Sequence, residues 1–448
     1  MAAAPNNIKM EVPRIMLQIY QRFKQMMIYV VFLKCRMRLS FVKSLMFLLI
    51  ALLFGGCVYD GTDDEMGYLP IDDSQYPYAG IPRVVIETEN FSQIRDVETE
   101  FPSRLQIYGD SAPVSGVYKL TVRGRGNSSA KMPKYGLKLE FEDKVKMFGM
   151  PKNRDWALIA NYGDKTHLRN FMMSRISEWL GARYTPKMQF VELYLNRKYM
   201  GLYLFSETVK VGKNRVNIEE NDSTFLFEKE DSKKLDPPYV TTNLGYTFHV
   251  KSPKNMTEKS EALLTEHLNE FEIFIHGGHN GYSDTMSKWI DMEDYLRYYW
   301  VQEYSKNEDG SFARSVYMTW SKGGLIHFGP LWDFDLAFGN ASYDQNKSAD
   351  GWYIRSQRWN RLIFNDYYVR LEAQKFWEDH KELFYDLIDS VPLYRKGIEK
   401  AIANEYKRWP IIRNTENWAL KEPYDSYDEA VEAMVKWMKE RYEWIEEH

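Results

Sequence analysis

Three aspartates, Asp309, Asp333 and Asp335, are the residues whose type and spacing most plainly invite chemistry. They bracket what reads as a tight β-hairpin. The runs SVYMTW (from Ser315) and LIHFGP (from Leu325) are strand-like, and Ser321-Lys322-Gly323-Gly324 supplies the turn between them. Neighbouring strands bring their outer ends together, so Asp309 and Asp333 are expected near one another although 24 residues separate them. Paired acids at the open end of a hairpin suit a divalent cation, a general base, or both.

Positive charge that could face such acids stands earlier in the chain. Arg123-Gly124-Arg125-Gly126-Asn127-Ser128-Ser129 follows one strand-like run, and Lys138 lies on the next, Tyr135 to Phe141. Glycines let backbone N–H groups approach an anion closely, while Arg123, Arg125 and Lys138 add charge. A structural turn is the plainer reading of that loop taken alone. Arg169 and Asn170 open a helix that Thr166 is placed to cap and that runs to Gly181; there they face a phosphate, a carboxylate or an ordinary ion-pair partner. Glu207 ends the second strand of an evident hairpin, Phe190 to Phe205, where it reads as a hydrogen-bond acceptor or a strand-end acid.

The elements that must position these residues change in kind along the chain. From Arg83 to Lys251 apolar residues alternate, as in antiparallel strands. Thereafter they recur at three- and four-residue spacing: Leu263 to Ile275, Met292 to Tyr304, and much of 366–448, ending in the stripe Ala430, Met434, Trp437, Met438, Tyr442 and Ile445. No internal repeat interrupts 83–448, so this span reads as one α+β unit, β-rich first and helical later. A hydrophobic fraction of 44% with 27% charged residues fits a folded chain, and 15% aromatic residues point first to a large core and second to a sugar-handling surface.

Residues 1–57 read as a leader. Arg38 and Lys43 precede the apolar run Met46 to Phe54, Gly55-Gly56 follow, and Cys57 stands where a lipoprotein signal would be cut and acylated. The signal is placed at 37–56, with Met37 the expected initiator, and residues 58–82 form an acidic tether in which Asp63-Asp64-Glu65 resembles a surface-export signal. This predicts an extracytoplasmic protein, lipid-anchored to the outer membrane and exposed at the cell surface, touching membrane only through its anchor. Eight of the 59 Lys/Arg but one of the 63 Asp/Glu fall in 1–57, so the remainder carries a net charge of −11. That balance excludes nucleic acid as the main partner.

Taken together, Arg125-Gly126-Asn127-Ser128-Ser129, Lys134 to Leu139, Asn161-Tyr162-Gly163-Asp164 with Leu168-Arg169-Asn170, Tyr199 to Tyr203 with Glu207, and Gly329 to Asp335 resemble the spore-coat protein H-like (CotH) kinase family over about 83–400. The resemblance implies an atypical protein-kinase-like, two-lobed fold that uses ATP and Mg²⁺ to phosphorylate serine or threonine of secreted proteins. It casts Asp333, with Asp335, as metal ligand, Asp309 as the catalytic-loop acid and Lys138 as the partner of the phosphates. Arg125, Gly126, Asn127 and Ser128 would lie above the phosphates, Arg169 nearby, and Glu207 by the adenine. Kinases carry a helper asparagine about five residues after the catalytic acid; here Arg314 and Ser315, five and six residues after Asp309, stand there, with Asp335 or Asn340 as substitutes. Two other readings remain open: a surface lipoprotein that binds glycan or protein around a structural cation, and a metal-dependent glycosyltransferase using Asp333-Phe334-Asp335.

Overall fold

Alternation along the first half becomes a closed barrel. The computed structural model describes residues 68–230, 238–277, 286–342, 344–416 and 419–448; the expected signal, Cys57 and Asp63-Asp64-Glu65 lie outside them. Seven strands, β1 (Arg83–Thr88), β2 (Phe101–Tyr108), β3 (Tyr118–Arg125), β4 (Gly136–Met147), β5 (Met150–Ile159), β6 (Met188–Leu195) and β7 (Lys198–Glu207), run in the order β1-β2-β3-β4-β5-β7-β6. All neighbours are antiparallel except β1 and β6, whose parallel pairing closes the ring. Residues two apart share a face, so Leu120 and Val122 of β3, Leu137, Leu139 and Phe141 of β4, and Trp156 and Leu158 of β5 fill the barrel. The same parity turns Arg123 and Lys138 outward as cross-strand partners.

A second, antiparallel sheet has the order β12-β11-β8-β10-β9, from β8 (Thr224–Lys229), β9 (Tyr239–Thr241), β10 (Thr247–Ser252), β11 (Val316–Ser321) and β12 (His327–Phe328). The expected hairpin is β11–β12, joined through Met318 and Phe328; Leu325 and Ile326 fall outside β12, and Ile326 bridges to Ile290 instead.

Among the described residues of the unit, which spans Gly67–His448, six helices of six residues or more complete it: α1 (Arg169–Trp179), α2 (Glu258–His276), α3 (Met292–Ser305), α4 (Arg358–Ile363), α5 (Tyr367–Arg408) and α6 (Tyr427–Glu447). Asp291 caps α3 by accepting from the Asp294 N–H, and Lys306, with φ 44°, ends it in the left-handed conformation. Every residue of α3 from Asp294 to Ser305 is buried, so the helix runs through the main core and delivers Asn307 and Asp309 from a fixed direction. The helix expected from Thr166 starts three residues later. Asp164, not Thr166, receives the Arg169 N–H, at 3.0 Å, and Thr166 serves Asp164 from below.

Two buried ion pairs fasten the helices. Lys134 Nζ lies 2.7 Å from Glu405 of α5 and donates to Leu202 O of β7, while Glu405 accepts the Leu202 N–H at 2.6 Å. Gly201, with φ 106°, is required there, because a Cβ would sit 2.1 Å from Glu405 Oε2. Arg441 of α6 pairs with Glu303 of α3 at 2.9 Å and donates to the carbonyls of Ala349 and Gly351. Among the described residues no helix is long and apolar enough to cross a membrane.

Candidate active site

The three aspartates come together at the end of the β11–β12 hairpin. Burial, then the charge of Asp333, pushes the Asp309 carboxyl up to about 8; Glu308 and Glu230 add to this and Arg314, 3.6 Å away, opposes it. Asp335 is held well above the usual carboxylate range by burial and by Asp333, Asp309 and Asp164. Burial also raises Asp333, against Arg125, the Ser315 hydroxyl and Arg314. Asp309 therefore feels Asp333, and Asp335 feels both, in a place that solvates charge poorly.

Their backbone is held by asparagines that the sequence scatters widely. Asn307 Nδ2 donates to Asp333 O at 3.0 Å, and Asn170 Oδ1 accepts the Phe334 N–H at 2.8 Å. Asn161 Oδ1 in turn accepts from Asn170 Nδ2. Asn340 Nδ2 ties Asp335 O, at 2.6 Å, to Gly163 O. Arg169 does not reach outward. Its guanidinium pairs with buried Asp164 and donates to the carbonyls of Ala337 and Phe338. Although burial pushes Asp164 up, Arg169 and His167 hold it below the usual range.

These bonds constrain an unusual chain path. Asn161, Lys306, Phe312, Ser315, Asp333 and Phe338 all have positive φ, six of the thirteen described non-glycine residues that do. Each such residue costs on the order of 1 kcal/mol or more, and strain of this kind gathers where a surrounding framework imposes it.

The basic residues divide. Arg125, at the end of β3, places its guanidinium 4.8 Å above the Trp332 ring, and its charge acts on Asp333 and Glu228. Gly126 follows with φ 113°; a Cβ would meet Ser129 Oγ at 2.2 Å, and Asn127 and Ser128 are exposed at the loop tip. Lys138 stands apart on the barrel's outer face, 3.0 Å from Glu140 and 3.8 Å from Glu100. Glu207 is buried against Arg215 at 3.1 Å and accepts from Tyr184 and from the Lys187 N–H. A cavity of about 330 Å³ opens beyond Tyr184, lined by Tyr184, Val216, Ile218, Thr319, Pro330 and Leu331 and by the charged Arg183, Asp294 and Arg297 together with His327.

The fit of a cation rests on donor chemistry. Asp291, Asp294 and His327 form the described group whose ligand atoms all come within 4.8 Å. Arg297, however, lies 2.7 Å from Asp294 Oδ1 and Arg183 3.6 Å from Oδ2. Two guanidinium groups already neutralise that carboxylate, so the group reads as an ion-pair cluster. Asp309, Asp333 and Asp335 do not bring their ligand atoms that close together, and Arg125 and Arg314 answer their charge only in part. A hard divalent cation with oxygen ligands fits this excess. Sequence reasoning missed Asp164 as a fourth nearby acid, and Glu228 and Glu230 on and beside β8; the Asn-Tyr-Gly-Asp turn was the available signal for the first.

A family profile described as CotH kinase protein matches residues 122–445, well over half of the chain. No curated protein matches it.

Proposed function

The chain belongs to the CotH kinase protein family, and on that premise we propose that it transfers the terminal phosphoryl group of ATP, with Mg²⁺, to a serine or threonine hydroxyl of a secreted or cell-surface protein. The observation that carries the reading is the unbalanced acid group at the hairpin end, with Arg125 reaching it from the glycine-containing loop. Phosphoryl transfer asks a protein for positioning and charge neutralisation more than for covalent chemistry. Bound Mg²⁺ would neutralise phosphate oxygens and keep the aspartates ionised.

The residues divide the remaining work. Asp333 and Asp335 would hold the cation, their backbone fixed by Asn307, Asn170 and Asn340. Asp309, whose proton affinity is already raised, would accept a hydrogen bond from the acceptor hydroxyl and take its proton as the bond to phosphorus forms. Arg314 lies 3.6 Å from Asp309, and Arg125, whose charge acts on Asp333, is given the phosphates in this reading. Lys138 could join it only by leaving Glu140 and Glu100. The cavity beside Leu331 would take the nucleoside, with Tyr184, which donates to Glu207, at its wall. In this reading the barrel and the helical part act as the two lobes of an atypical kinase-like fold, and Cys57 anchors the protein to the outer membrane facing its substrates. A glycosyltransferase reading loses ground because a closed barrel, rather than alternating strands and helices, precedes Asp333.

The test is transfer of label from γ-labelled ATP by the purified chain with Mg²⁺, beside Asp309→Ala and Asp333→Ala. Label on a hydroxyl acceptor or on the chain itself, lost in both variants, supports the reading. Absence of nucleotide binding in the parent protein would remove it.

A further inference from the structure

Asn307 closes the turn between α3 and Asp309 and is fully buried. Its Nδ2 donates to Asp333 O at 3.0 Å, yet its Oδ1, equally buried, has no hydrogen-bond partner. The orientation is not arbitrary, since the reverse rotamer would set two oxygens against each other at the Asp333 carbonyl. Buried amide oxygens are seldom left unpaired, and one left so asks for a reason. Gln302 Oε1 and Asn346 Oδ1 also lack partners. But Gln302 lies against Gly310 and Asn346 donates to Lys306 O, whereas Asn307 is the one of the three whose amide bonds to the Asp333 backbone.

Resting on the proposed cation-dependent transfer, we infer that Asn307 Oδ1 is a neutral oxygen ligand of the cation held by Asp333. Amide oxygens are ordinary ligands of hard cations, and one here adds a donor without adding to an already excessive negative charge. It supplies what the sequence omits after Asp309. Ser315, at the place of the expected helper asparagine, turns its hydroxyl to Asp333 Oδ2 at 3.3 Å and so orients that carboxylate instead. The amide donor has moved from five or six residues after the catalytic acid to two before it, and the Nδ2 bond to Asp333 holds it in place.

The experiment is titration of the full chain with Mn²⁺ alone, followed by loss of the free-ion paramagnetic resonance signal, with urea melts to show that each variant is folded. Asn307→Ala should weaken Mn²⁺ binding roughly tenfold or more. Asn307→Asp, which keeps the oxygen and loses the N–H donor, should bind at least as tightly as the parent. Adding Ser315→Asn to Asn307→Ala should recover part of the loss. A role confined to the Asp333 carbonyl bond predicts the opposite order, with Asn307→Asp as poor as Asn307→Ala, and that order overturns the inference. Unchanged binding in Asn307→Ala, with binding lost in Asp333→Ala, overturns it while leaving the cation-dependent reading intact. No Mn²⁺ binding by the parent chain overturns both.

Discussion

The Lys134–Glu405 pair is fully buried and the Asp309–Asp333–Asp335 group is partly so, and only the first is electrically closed. Glu405 receives Lys134, the Leu202 N–H and no further charge, for burial pushes the neighbouring His167, 3.7 Å away, down to about 4 and leaves it neutral at pH 7. The aspartates repel one another and are answered only in part by Arg125 and Arg314. A charge that the fold needs is matched within the fold; a surplus is retained for something that arrives from outside. The contrast assigns the first site to stability and the second to ligand, and each assignment can be broken separately.

The largest effect is expected at the acids. Asp333→Ala should lower label transfer on the order of a thousandfold, while the urea midpoint of the metal-free chain stays level or rises because one repelling charge is gone. A fall in that midpoint with activity preserved would invert the comparison. At the closed pair the opposite holds: Glu405→Ala strands Lys134 in the interior and should cost about 3–5 kcal/mol in urea unfolding. Replacing both partners by apolar residues should recover most of that loss.

A pH series sharpens the contrast further. Asp309 titrates near 8 in the folded chain against 3.8 when unfolded, so between those values the native state binds more protons than the unfolded one. The metal-free protein should therefore lose stability as pH rises from about 4 to about 8. Saturating Mg²⁺ should flatten or reverse that slope, and Asp309→Asn should remove much of it; thermal melts across the window measure both. The smallest effect is expected at Lys138. Being about a quarter exposed and paired at the surface, it should change stability by less than about 0.5 kcal/mol when replaced by alanine. A loss of transfer in Lys138→Ala at unchanged stability would restore it to the phosphate site.

What could be read from the sequence follows from how far apart the interacting residues lie. The hairpin was legible because a glycine turn joins two strand-like runs, and the helical stripes because their period is local. The α+β order, strands first and helices later, came from the same signal. The outward parity of Lys138 was also within reach, since Leu137 and Leu139 flank it, but a lysine after a glycine loop invites a chemical reading first. The asparagine framework was not legible. Asn170 meets Phe334 across 164 residues, and no periodicity marks such a pair. Lys134 and Glu405 stand 271 residues apart. Arg169 illustrates the remaining difficulty: a helix start offers the same backbone donors to a phosphate and to its own Asp164, and only the fold decides between them.

The helix α5 ties these regions into one mechanical element. Its 42 residues extend roughly 63 Å at 1.5 Å per residue. Near one end Trp300 of α3 donates to Ala373 O, and near the other Glu405 grips β7. Such a strut crosses from barrel to helices and couples their unfolding, so neither part should survive as a fragment. A protease cut in α5 would therefore be expected to collapse both regions in a single transition rather than release a stable barrel.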